Sequence, residues 1–497
     1  MQYILSVDQG TTGTRAVLFD EKLNIVCSAY CEHAQIVPCP GQTEHDAMEI
    51  LHNVKKLSAK VLMQAKDMGI DLSKVRCMGL ANQGETVVAW DRADGKPLAG
   101  AVVWHCTRSA GIAAELASDG AFAELVRKNT GLMIDAYFSA TKIVWLRENV
   151  PAVKQAVQAG NALFGTLDSF LIWSLTGRYV TDAATASRTM LFNIHTGDWD
   201  AEILKRLDID RNMLPEVLDN CADFGTATIP LEGEMFEVPI TSSVVDQQGA
   251  LFGQGCFAPG MAKATYGTGC FTLMNTGEKP VYSSHGLLTS IGWRLNGKTT
   301  YVLDGAIYMA GAVTQWLRDK MQMIENYGQL DEFSLSVPDN AGVYFVTAFS
   351  GLSAPIWNPR VKGTLVGLTT AAKRAHFVRA ALESVAYQVG DLLTCFSQDF
   401  EPVRQLRVDG GLSQSRFLMQ FQADIADLEV TRMKTCEVTA RGVAMMAGLT
   451  IGLFTVEQLK AEFVFDSSYH PAISSEKREQ LLNGWSRAVR AAEAFAE

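Results

Sequence analysis

The sequence lacks a hydrophobic run long enough to cross a membrane. None of its uncharged apolar stretches reaches the roughly 18 residues that a membrane helix needs. Residues 1–8 also lack the basic segment and apolar core of a secretory signal peptide. These absences lead us to expect a cytoplasmic protein without membrane insertion.

Positive charge is in short supply. The chain has 43 Lys and Arg against 54 Asp and Glu, which gives a formal net charge of −11. Such an acidic surface repels the phosphate backbone of nucleic acids and the head groups of anionic lipids, so neither is an expected partner. A small anionic ligand in a locally positive pocket remains compatible with this charge.

Cysteine clusters and low-complexity segments are also missing. The ten cysteines are dispersed, and Cys27, Cys31 and Cys39 lie near His33 without a familiar zinc-ligand spacing. This pattern favours reduced thiols over a disulfide framework. With 48% apolar and 20% charged residues the chain is globular, and its 497 residues are too many for one hydrophobic core.

Strand-like and helix-like segments alternate along the chain. Residues 3–7, 75–80 and 86–90 read as strands, whereas residues 48–68 repeat apolar side chains at helical spacing. The alternation predicts an α/β fold in which helices cover a sheet.

The same pattern starts again near residue 250. A turn rich in Gly and Thr at 265–269 leads into a strand at 270–275, and a long helix is predicted from 372 to about 398. We therefore predict two related domains, residues 1–250 and residues 251–497. The boundary follows from the pattern alone, to within about ten residues.

The turn at residues 8–14 is the strongest local signal. An acid at the end of a strand, followed by small and hydroxyl residues, lets backbone N–H groups and Thr side chains surround phosphate oxygens. Asp8 is then a candidate ligand for the Mg²⁺ of a nucleotide, directly or through water. The alternative is a β-hairpin whose Gly and Thr only form the turn. The segment is neither a Walker A loop nor a dinucleotide fingerprint.

Two further turns have related compositions. They are residues 266–269 (YGTG) and residues 409–411 (DGG). The second precedes a predicted helix, whose free N–H groups and dipole favour an anion. Three such turns in one chain favour a phosphate-binding function over three unrelated turns.

Ten segments in the expected order resemble the FGGY family of carbohydrate kinases, and within it the glycerol kinase branch. They are DQGTTGTR (8–15), NQGET (82–86), VWHC (103–106), NTGLMIDAYFSATK (129–142), ASRTMLFNIHTGDW (186–199), DQQGALFG (246–253), MAKATYGTGCFTLMNTG (261–277), MAGAVTQWLR (309–318), RVDGG (407–411) and FLMQFQ (417–422). The resemblance implies two actin-like, ribonuclease-H-like domains that face a central cleft. It also implies ATP and Mg²⁺ as cofactors and a homodimer or homotetramer.

The resemblance assigns roles residue by residue. Asp246 matches the catalytic base that takes the proton of a primary hydroxyl; the residues alone would equally allow a helix N-cap there. The implied substrate-binding residues are Gly84, Glu85, Trp104, Tyr137, Asp246, Gln247 and Phe271. The implied nucleotide-binding residues are Thr11, Thr12, Gly13, Arg15, Thr268, Gly311, Gln315, Gly411 and Ser415, with Asp8 for the metal.

Several of these residues have ordinary structural alternatives. Without the resemblance, Trp104 and Phe271 would more often be core aromatics. Arg15 either neutralises phosphate charge or forms a surface ion pair.

Two positions depart from the family pattern. Gly84 stands where glycerol kinases carry a substrate-binding arginine, and Ser415 stands where they usually have asparagine near the adenine. The loss of up to five donors at position 84 changes which hydroxyls the pocket can pair. The expected reaction is phosphorylation of glycerol to glycerol 3-phosphate. The alternative is phosphorylation of another polyol or a ketose, of the erythritol, threitol or xylulose type.

A third hypothesis is a nucleotide-binding actin-like protein that acts on no sugar. Asp246, Glu85, Trp104 and Tyr137 argue against it together, because an ATPase without a polyol substrate has no need of this combination.

Overall fold

Two mixed β-sheets, each with helices packed on it, face each other across a cleft. The computed structural model describes residues 1–435, 437–461 and 463–496. Among the described residues, no helix is both long and apolar enough to cross a bilayer.

The strands of the first half include the six of its main sheet and eight shorter ones. They are β1 (Tyr3–Gln9), β2 (Gly13–Asp20), β3 (Ile25–Glu32), β4 (Glu44–His45), β5 (Val75–Asn82), β6 (Val87–Asp91), β7 (Ala101–Val102), β8 (Ala162–Thr166), β9 (Val180–Asp182), β10 (Phe192–Asn193), β11 (Asp198–Trp199), β12 (Glu216–Leu218), β13 (Thr226–Leu231) and β14 (Glu234–Val245). Its helices are α1 (Ala47–Asp67), α2 (Ala110–Ser118), α3 (Gly120–Thr130), α4 (Ser139–Asn149), α5 (Pro151–Gln158), α6 (Leu167–Thr176), α7 (Ala183–Ala186), α8 (Ala201–Leu207) and α9 (Asp246–Gly253).

The second half has fewer and on average longer elements. Its strands are β15 (Met261–Tyr266), β16 (Cys270–Gly277), β17 (Leu288–Leu295), β18 (Lys298–Ile307), β19 (Tyr344–Val346), β20 (Thr364–Val366), β21 (Gln405–Asp409), β22 (Val430–Met433) and β23 (Phe465–Tyr469). Its helices are α10 (Gly311–Asp319), α11 (Gly328–Leu335), α12 (Arg374–Asp399), α13 (Arg416–Ala426), α14 (Val438–Thr450), α15 (Val456–Ala461) and α16 (Ser475–Ala496). Short 3₁₀ turns lie at Leu72–Lys74, Arg211–Met213 and Gly411–Gln414.

The two main sheets share one pairing pattern. The first has the order β13-β14-β5-β1-β2-β3, with β1 antiparallel to β2 and parallel to β5, which is in turn parallel to β14. The second has the order β17-β18-β16-β15-β21-β22-β23, with β15 antiparallel to β16 and parallel to β21, which is in turn parallel to β22. The repeat confirms the expected fold of two related α/β halves.

Local sequence explains the elements that frame the cleft. The first strand, β1, is buried over nearly its whole length, as expected for a central strand. Helix α1 starts where the carboxylate of Asp46 accepts the backbone N–H groups of Met48 and Glu49, which are unsatisfied at a helix start. Both predicted segments are observed, within one or two residues at each end.

Helix α14 belongs to the second half by sequence but packs on the first sheet. The hydroxyl of Ser6 in β1 donates to the carbonyl of Ala440 at 2.7 Å, and that of Ser242 in β14 donates to the carbonyl of Val443 at 2.9 Å. Apolar side chains of α14 join the core cluster that contains Ile4 and Val244. One face of the first sheet is therefore completed by residues near the end of the chain.

Helices α9 and α14 cross at glycines. A Cβ on Gly442 would lie 1.9 Å from the carbonyl oxygen of Gly249, and a Cβ on Gly253 would lie 2.1 Å from that of Val438. Only glycine allows backbones to approach this closely. The crossing joins the two halves beside the catalytic candidate Asp246, the first residue of α9.

Candidate functional site

Two cavities of similar size meet in the cleft. The first, of about 500 Å³, is lined by Thr11, Thr12, Gln35, Gln83, Gly84, Glu85, Trp104, His105, Tyr137, Arg188, Val245, Asp246, Gln247, Gln248, Thr265, Gly267, Thr268, Gly269, Phe271 and Asp304. The second, of about 490 Å³, is lined by Tyr266, Gly267, Thr268, Gly311, Ala312, Thr314, Gln315, Tyr327, Gly328, Leu330, Asp331, Gly411, Leu412, Gln414 and Ser415. Gly267 and Thr268, in the β15–β16 turn, line both, so a group bound in one cavity can reach a group bound in the other.

The structure brings together the whole set of expected substrate residues. All of them line the first cavity, although they come from loops and elements spread over nearly 190 residues of sequence: Gly84, Glu85, Trp104, Tyr137, Asp246, Gln247 and Phe271. The expected nucleotide residues divide. Thr11 and Thr12 line the first cavity, Thr268 lines both, and Gly311, Gln315, Gly411 and Ser415 line the second.

Three aromatic rings form one wall of the first cavity. The ring of Trp104 lies edge-on to Tyr137 at 5.5 Å and to Phe271 at 6.0 Å between centroids. The indole N–H of Trp104 donates to the hydroxyl of Thr11 at 2.8 Å, which ties this wall to the first phosphate-loop candidate. The rings are half-buried and face the cavity, so Trp104 and Phe271 are not fully enclosed core residues. Such a wall suits the CH₂ and CH groups of a small polyol.

A buried ion triad adjoins this wall, with the guanidinium of Arg188 over the Tyr137 ring, 5.8 Å from its centroid. The guanidinium of Arg188 lies 2.7 Å from the carboxylate of Glu85 and 2.7 Å from that of Asp304. Burial alone would lower the pKa of Arg188, but Asp304 and Glu85 outweigh it and raise that pKa. Burial raises the pKa of Glu85, while Arg188 opposes the rise. Asp304 belongs to β18 of the second half, so the triad bridges the cleft.

Glu85 also has an unusual backbone. Its φ is +56°, in the left-handed region that a side chain with a Cβ seldom adopts. Strain of this kind persists where the surrounding structure holds it and is often found at functional sites. Here the strained backbone directs the carboxylate into a buried pocket, where Glu85 is 4% exposed.

Asp246 stands where β14 ends and α9 begins. The helix N-cap is Val245, so the interpretation of Asp246 as the cap itself is wrong. Its carboxylate accepts the backbone N–H of Gln247 at 2.7 Å. Burial raises the pKa of Asp246 to about 6, with Lys263 and Gln247 acting in the opposite direction. A carboxylate with a pKa near neutrality is well suited to accept a proton.

A buried lysine positions the neighbour of Asp246. The ammonium group of Lys263 donates to the side-chain carbonyl of Gln247 and, at 2.9 Å, to the hydroxyl of Thr265. Burial lowers the pKa of Lys263, and Asp409 and Asp246 oppose this. Lys263 therefore orients the Gln247 side chain at the edge of the cavity.

The β1–β2 turn is held by two glutamines. The amide of Gln83 donates to Gly10 O at 3.4 Å, and the amide of Gln35 donates to Thr11 O at 3.0 Å. His45 joins them: its Nδ1 is 3.3 Å from the Gln83 amide and its Nε2 is 2.9 Å from Gln35 Oε1. Burial lowers the pKa of His45 to about 3, so the ring is neutral and can accept at one nitrogen and donate at the other.

The β15–β16 turn is held by the start of α10. The N–H of Gly311 donates to Gly267 O at 2.9 Å, and the N–H groups of Ala310 and Ala312 donate to Thr268 O at 2.9 and 3.0 Å. A Cβ on Gly311 would lie 2.6 Å from Gly267 O. Glycine is therefore required for the contact between this turn and the helix.

Ser415 is occupied at the start of α13. Its hydroxyl donates to the carboxylate of Asp331 and accepts the backbone N–H of Leu418 at 3.1 Å. Asp331 also accepts the N–H of Arg416 at 2.8 Å. Ser415 thus lines the second cavity and caps α13, and its hydroxyl hydrogen is already donated to Asp331.

Three expected residues line neither cavity. Gly13 packs in the β2–β3 hairpin, where a Cβ would lie 2.4 Å from Cys31 O. Arg15 forms an ion pair with Glu437 at 2.8 Å and lies over the Tyr30 ring. Burial, with smaller contributions from the carboxylates of Asp246 and Glu437, raises the pKa of Asp8 to about 7, and Arg15 opposes the rise.

The carboxylates near Asp8 are relevant to whether this site could hold Mg²⁺. Within the described part of the chain, no group of three or more His, Cys, Asp or Glu side chains has metal-binding geometry. Magnesium in phosphoryl-transfer sites is usually held by one or two carboxylates and the phosphates themselves. The Asp246 carboxylate helps to raise the pKa of Asp8, and a bound Mg²⁺ would relieve this repulsion, so Asp8 fits the group.

Sequence reasoning missed Arg188, Asp304 and Val245 in the first cavity, and Tyr327 and Asp331 in the second. Arg188 lies within the segment 186–199 already noted, but its role there depends on Asp304, which is 116 positions away in sequence. Tyr327 had no signal, since a single tyrosine before a short helix has no distinctive pattern.

Comparisons with known proteins show the family of the chain. Residues 3–253 match the N-terminal domain, and residues 262–451 the C-terminal domain, of the FGGY family of carbohydrate kinases. Glycerol kinase 2 of Thermotoga maritima is 47% identical over 493 residues, covering 98% of each chain, and a glycerol kinase of Shewanella sp. strain ANA-3 is 47% identical over 492 residues, covering 98% of each.

Solved structures extend the comparison. Plasmodium falciparum glycerol kinase with ADP superposes with a TM-score of 0.93 at 37% identity, covering 99% of this chain and 98% of that one. The ligand-bound xylulose kinase of Lactobacillus acidophilus shares the fold, with a TM-score of 0.87 at 21% identity, covering 100% of this chain and 99% of that one. On the matched domains and the full-length relatives, the chain belongs to the FGGY family of carbohydrate kinases.

Proposed function

We propose that this kinase transfers the γ-phosphoryl group of ATP to a primary hydroxyl of glycerol, giving glycerol 3-phosphate. One observation carries the proposal: the cavity that contains Asp246 and the second cavity share Gly267 and Thr268. A hydroxyl beside Asp246 and a phosphate at this shared turn can then meet. The full-length similarity to glycerol kinases supports glycerol as the substrate.

In the proposed mechanism the chain positions both reactants and removes one proton. The carboxylate of Asp246 accepts the proton of the attacking hydroxyl, and the rings of Trp104, Tyr137 and Phe271 cover the carbon chain. Glu85, held by Arg188, accepts a hydrogen bond from a second substrate hydroxyl. Phosphoryl transfer requires mainly this positioning together with charge neutralisation.

The nucleotide and its metal are assigned to the turns. Thr11, Thr12 and Thr268 would bind phosphate oxygens, and Gly311, Gln315, Gly411 and Ser415 would line the nucleoside site. Gly13 would support the first turn from behind, and Arg15, which is paired with Glu437, would lie next to it. Asp8 would hold Mg²⁺, which neutralises phosphate charge when bound.

A second candidate is the phosphorylation of another polyol or a ketose. Gly84 favours it, because this position lines the cavity and carries no donor where glycerol kinases carry arginine. We also infer that residues 1–250 form the N-terminal domain and residues 251–497 the C-terminal domain of each chain. We further infer that the chain works in the cytoplasm as a homodimer or homotetramer; light scattering after gel filtration measures the oligomeric state.

The test is ATP consumption by the purified chain with glycerol, dihydroxyacetone, erythritol, threitol and xylulose, with and without Mg²⁺. We expect the highest kcat/KM with glycerol and no turnover without the metal. A preference for xylulose or erythritol over glycerol would instead establish the second candidate. ATP hydrolysis unaffected by every polyol would contradict both.

A further inference from the structure

We propose that Val245 is a specificity-determining residue, because its side chain occupies the space that any side chain at position 84 would need. The inference rests on the proposed function for its substrate, but its steric part does not. Val245 and Gly84 lie side by side on the wall of the first cavity, next to Asp246.

The contact is tight. A Cβ built on Gly84 would lie 2.8 Å from Cγ2 of Val245, closer than real Cβ atoms come to another carbon. Val245 is 2% exposed and β-branched, and such side chains have few alternative rotamers. Its methyl group therefore cannot move aside without disturbing the core around it.

The backbone at Gly84 does not itself demand glycine. Positive φ values are found at Glu85, the next residue, and not at Gly84. Position 84 thus requires glycine because a larger residue has no space there, and the side chain of Val245 is what fills that space.

Gly84 and Val245 together also determine the chemical character of the cavity wall that contacts the substrate. Where an arginine would offer donors and a positive charge, this wall offers methyl groups. Among the described residues that line the first cavity, Arg188 carries a positive charge, and its guanidinium is already paired with Glu85 and Asp304. The substrate therefore rests an apolar carbon face, rather than a hydroxyl, against Val245.

This wall predicts weak discrimination against missing hydroxyls. A site that pairs a hydroxyl rejects an analogue lacking it by several orders of magnitude, whereas an apolar wall rejects it far less. We expect at least one of propane-1,2-diol and propane-1,3-diol to be phosphorylated by the wild-type enzyme, at a kcat/KM within about a hundredfold of that for glycerol.

The steric coupling is tested first by stability, without reference to activity. Thermal unfolding is measured for Gly84→Ala, Val245→Ala and the double variant, with Gly111→Ala as control, because a Cβ on Gly111 meets no atom within 4 Å. We expect Gly84→Ala to lower Tm, Val245→Ala to restore part of that loss in the double variant, and Gly111→Ala to leave Tm unchanged or higher. Losses that simply add in the double variant, or a Gly84→Ala Tm equal to wild type, would overturn the coupling.

The specificity part is tested by Gly84→Arg and by Gly84→Arg combined with Val245→Ala. The single variant should lose activity on every substrate. The double variant should recover, with kcat/KM for glycerol about ten- to a hundredfold above the single variant, as one charged hydrogen bond contributes. Its preference for glycerol over the better propanediol should also exceed that of the wild type.

The outcomes separate the two proposals. If the wild type phosphorylates the propanediols but the double variant does no better than Gly84→Arg, the role of Val245 is refuted while the glycerol proposal stands. If the wild type ignores glycerol and the stability coupling is present, the substrate proposal fails and the steric role of Val245 is retained. Wild-type kcat/KM values for both propanediols more than a thousandfold below that for glycerol would refute the apolar wall.

Discussion

The guanidinium Nε of Arg188 lies 2.7 Å from Oε1 of Glu85, and both side chains are about 95% buried. The same guanidinium reaches Asp304 at 2.7 Å across the cleft. One cation thus orients a substrate-binding carboxylate of the first half and links it to the second half. Two buried carboxylates depend on it for compensation of their charge.

Replacing Arg188 should therefore affect binding and stability together. Arg188→Met leaves Glu85 and Asp304 without a partner, and breaking a buried ion pair typically costs about 3–5 kcal/mol. We expect a marked fall in the free energy of unfolding in urea and a KM for glycerol raised at least tenfold. Lys66→Ala, which breaks the exposed Lys66–Glu234 pair, is the control and should change neither. Wild-type KM and stability in Arg188→Met would contradict the assigned role.

Asp246→Asn should remove the base while preserving the local structure. Asparagine can still accept the N–H of Gln247, so α9 should start as before. We expect kcat to fall by roughly 10²–10⁴, as for the loss of a general base, with ATP binding little changed. Turnover close to wild type would exclude Asp246 as the base.

The same substitution should stabilise the fold at alkaline pH. The folded-state pKa of Asp246, about 6, lies above its ordinary value, so the folded protein favours the protonated form. The buried charge destabilises the wild type above pH 6, and this penalty disappears as the pH falls below about 4. Thermal unfolding should therefore show a higher Tm for Asp246→Asn at pH 8 and no difference near pH 4.

The pH dependence of the wild-type reaction follows from the same group. Protonated Asp246 cannot accept the substrate proton, so kcat/KM for glycerol should be constant above pH 7 and fall tenfold per unit well below pH 6. Initial rates at saturating ATP and Mg²⁺, in buffers from pH 5 to 9, measure the profile. A profile flat down to pH 5 would show that the base titrates elsewhere.

Gly442 should be essential for the crossing of α9 and α14. A Cβ there would overlap the carbonyl of Gly249, so Gly442→Ala must push the helices apart. We expect a lower Tm and a reduced kcat, because α9 starts with Asp246.

Small-angle scattering should show that the wild type becomes more compact when glycerol and a non-hydrolysable ATP analogue are added, and that this compaction is smaller for Gly442→Ala. Gly120→Ala, at a glycine with open space around it, controls for the substitution itself.

The sequence predicts local features of this protein better than its long-range pairs. The strands around the turns at 8–14 and 265–269 have clear borders because continuous apolar runs and the glycines of the turns act over a few residues. The repeated sheet pattern could be predicted for the same reason. The triad of Arg188, Glu85 and Asp304 could not, since its members meet only after the sheets form. The Gly84–Val245 contact is of the same kind, as is the engagement of Ser415 by Asp331.

The position of α14 sets an order for synthesis of the chain. All six strands of the first sheet have been translated by residue 245, but α14, which covers one of its faces, spans residues 438–450. For about two hundred residues of translation, the apolar side chains that pack against α14 lack this helix. A nascent chain stalled before residue 438 is therefore expected to bind chaperones or aggregate, even with its strands correctly paired.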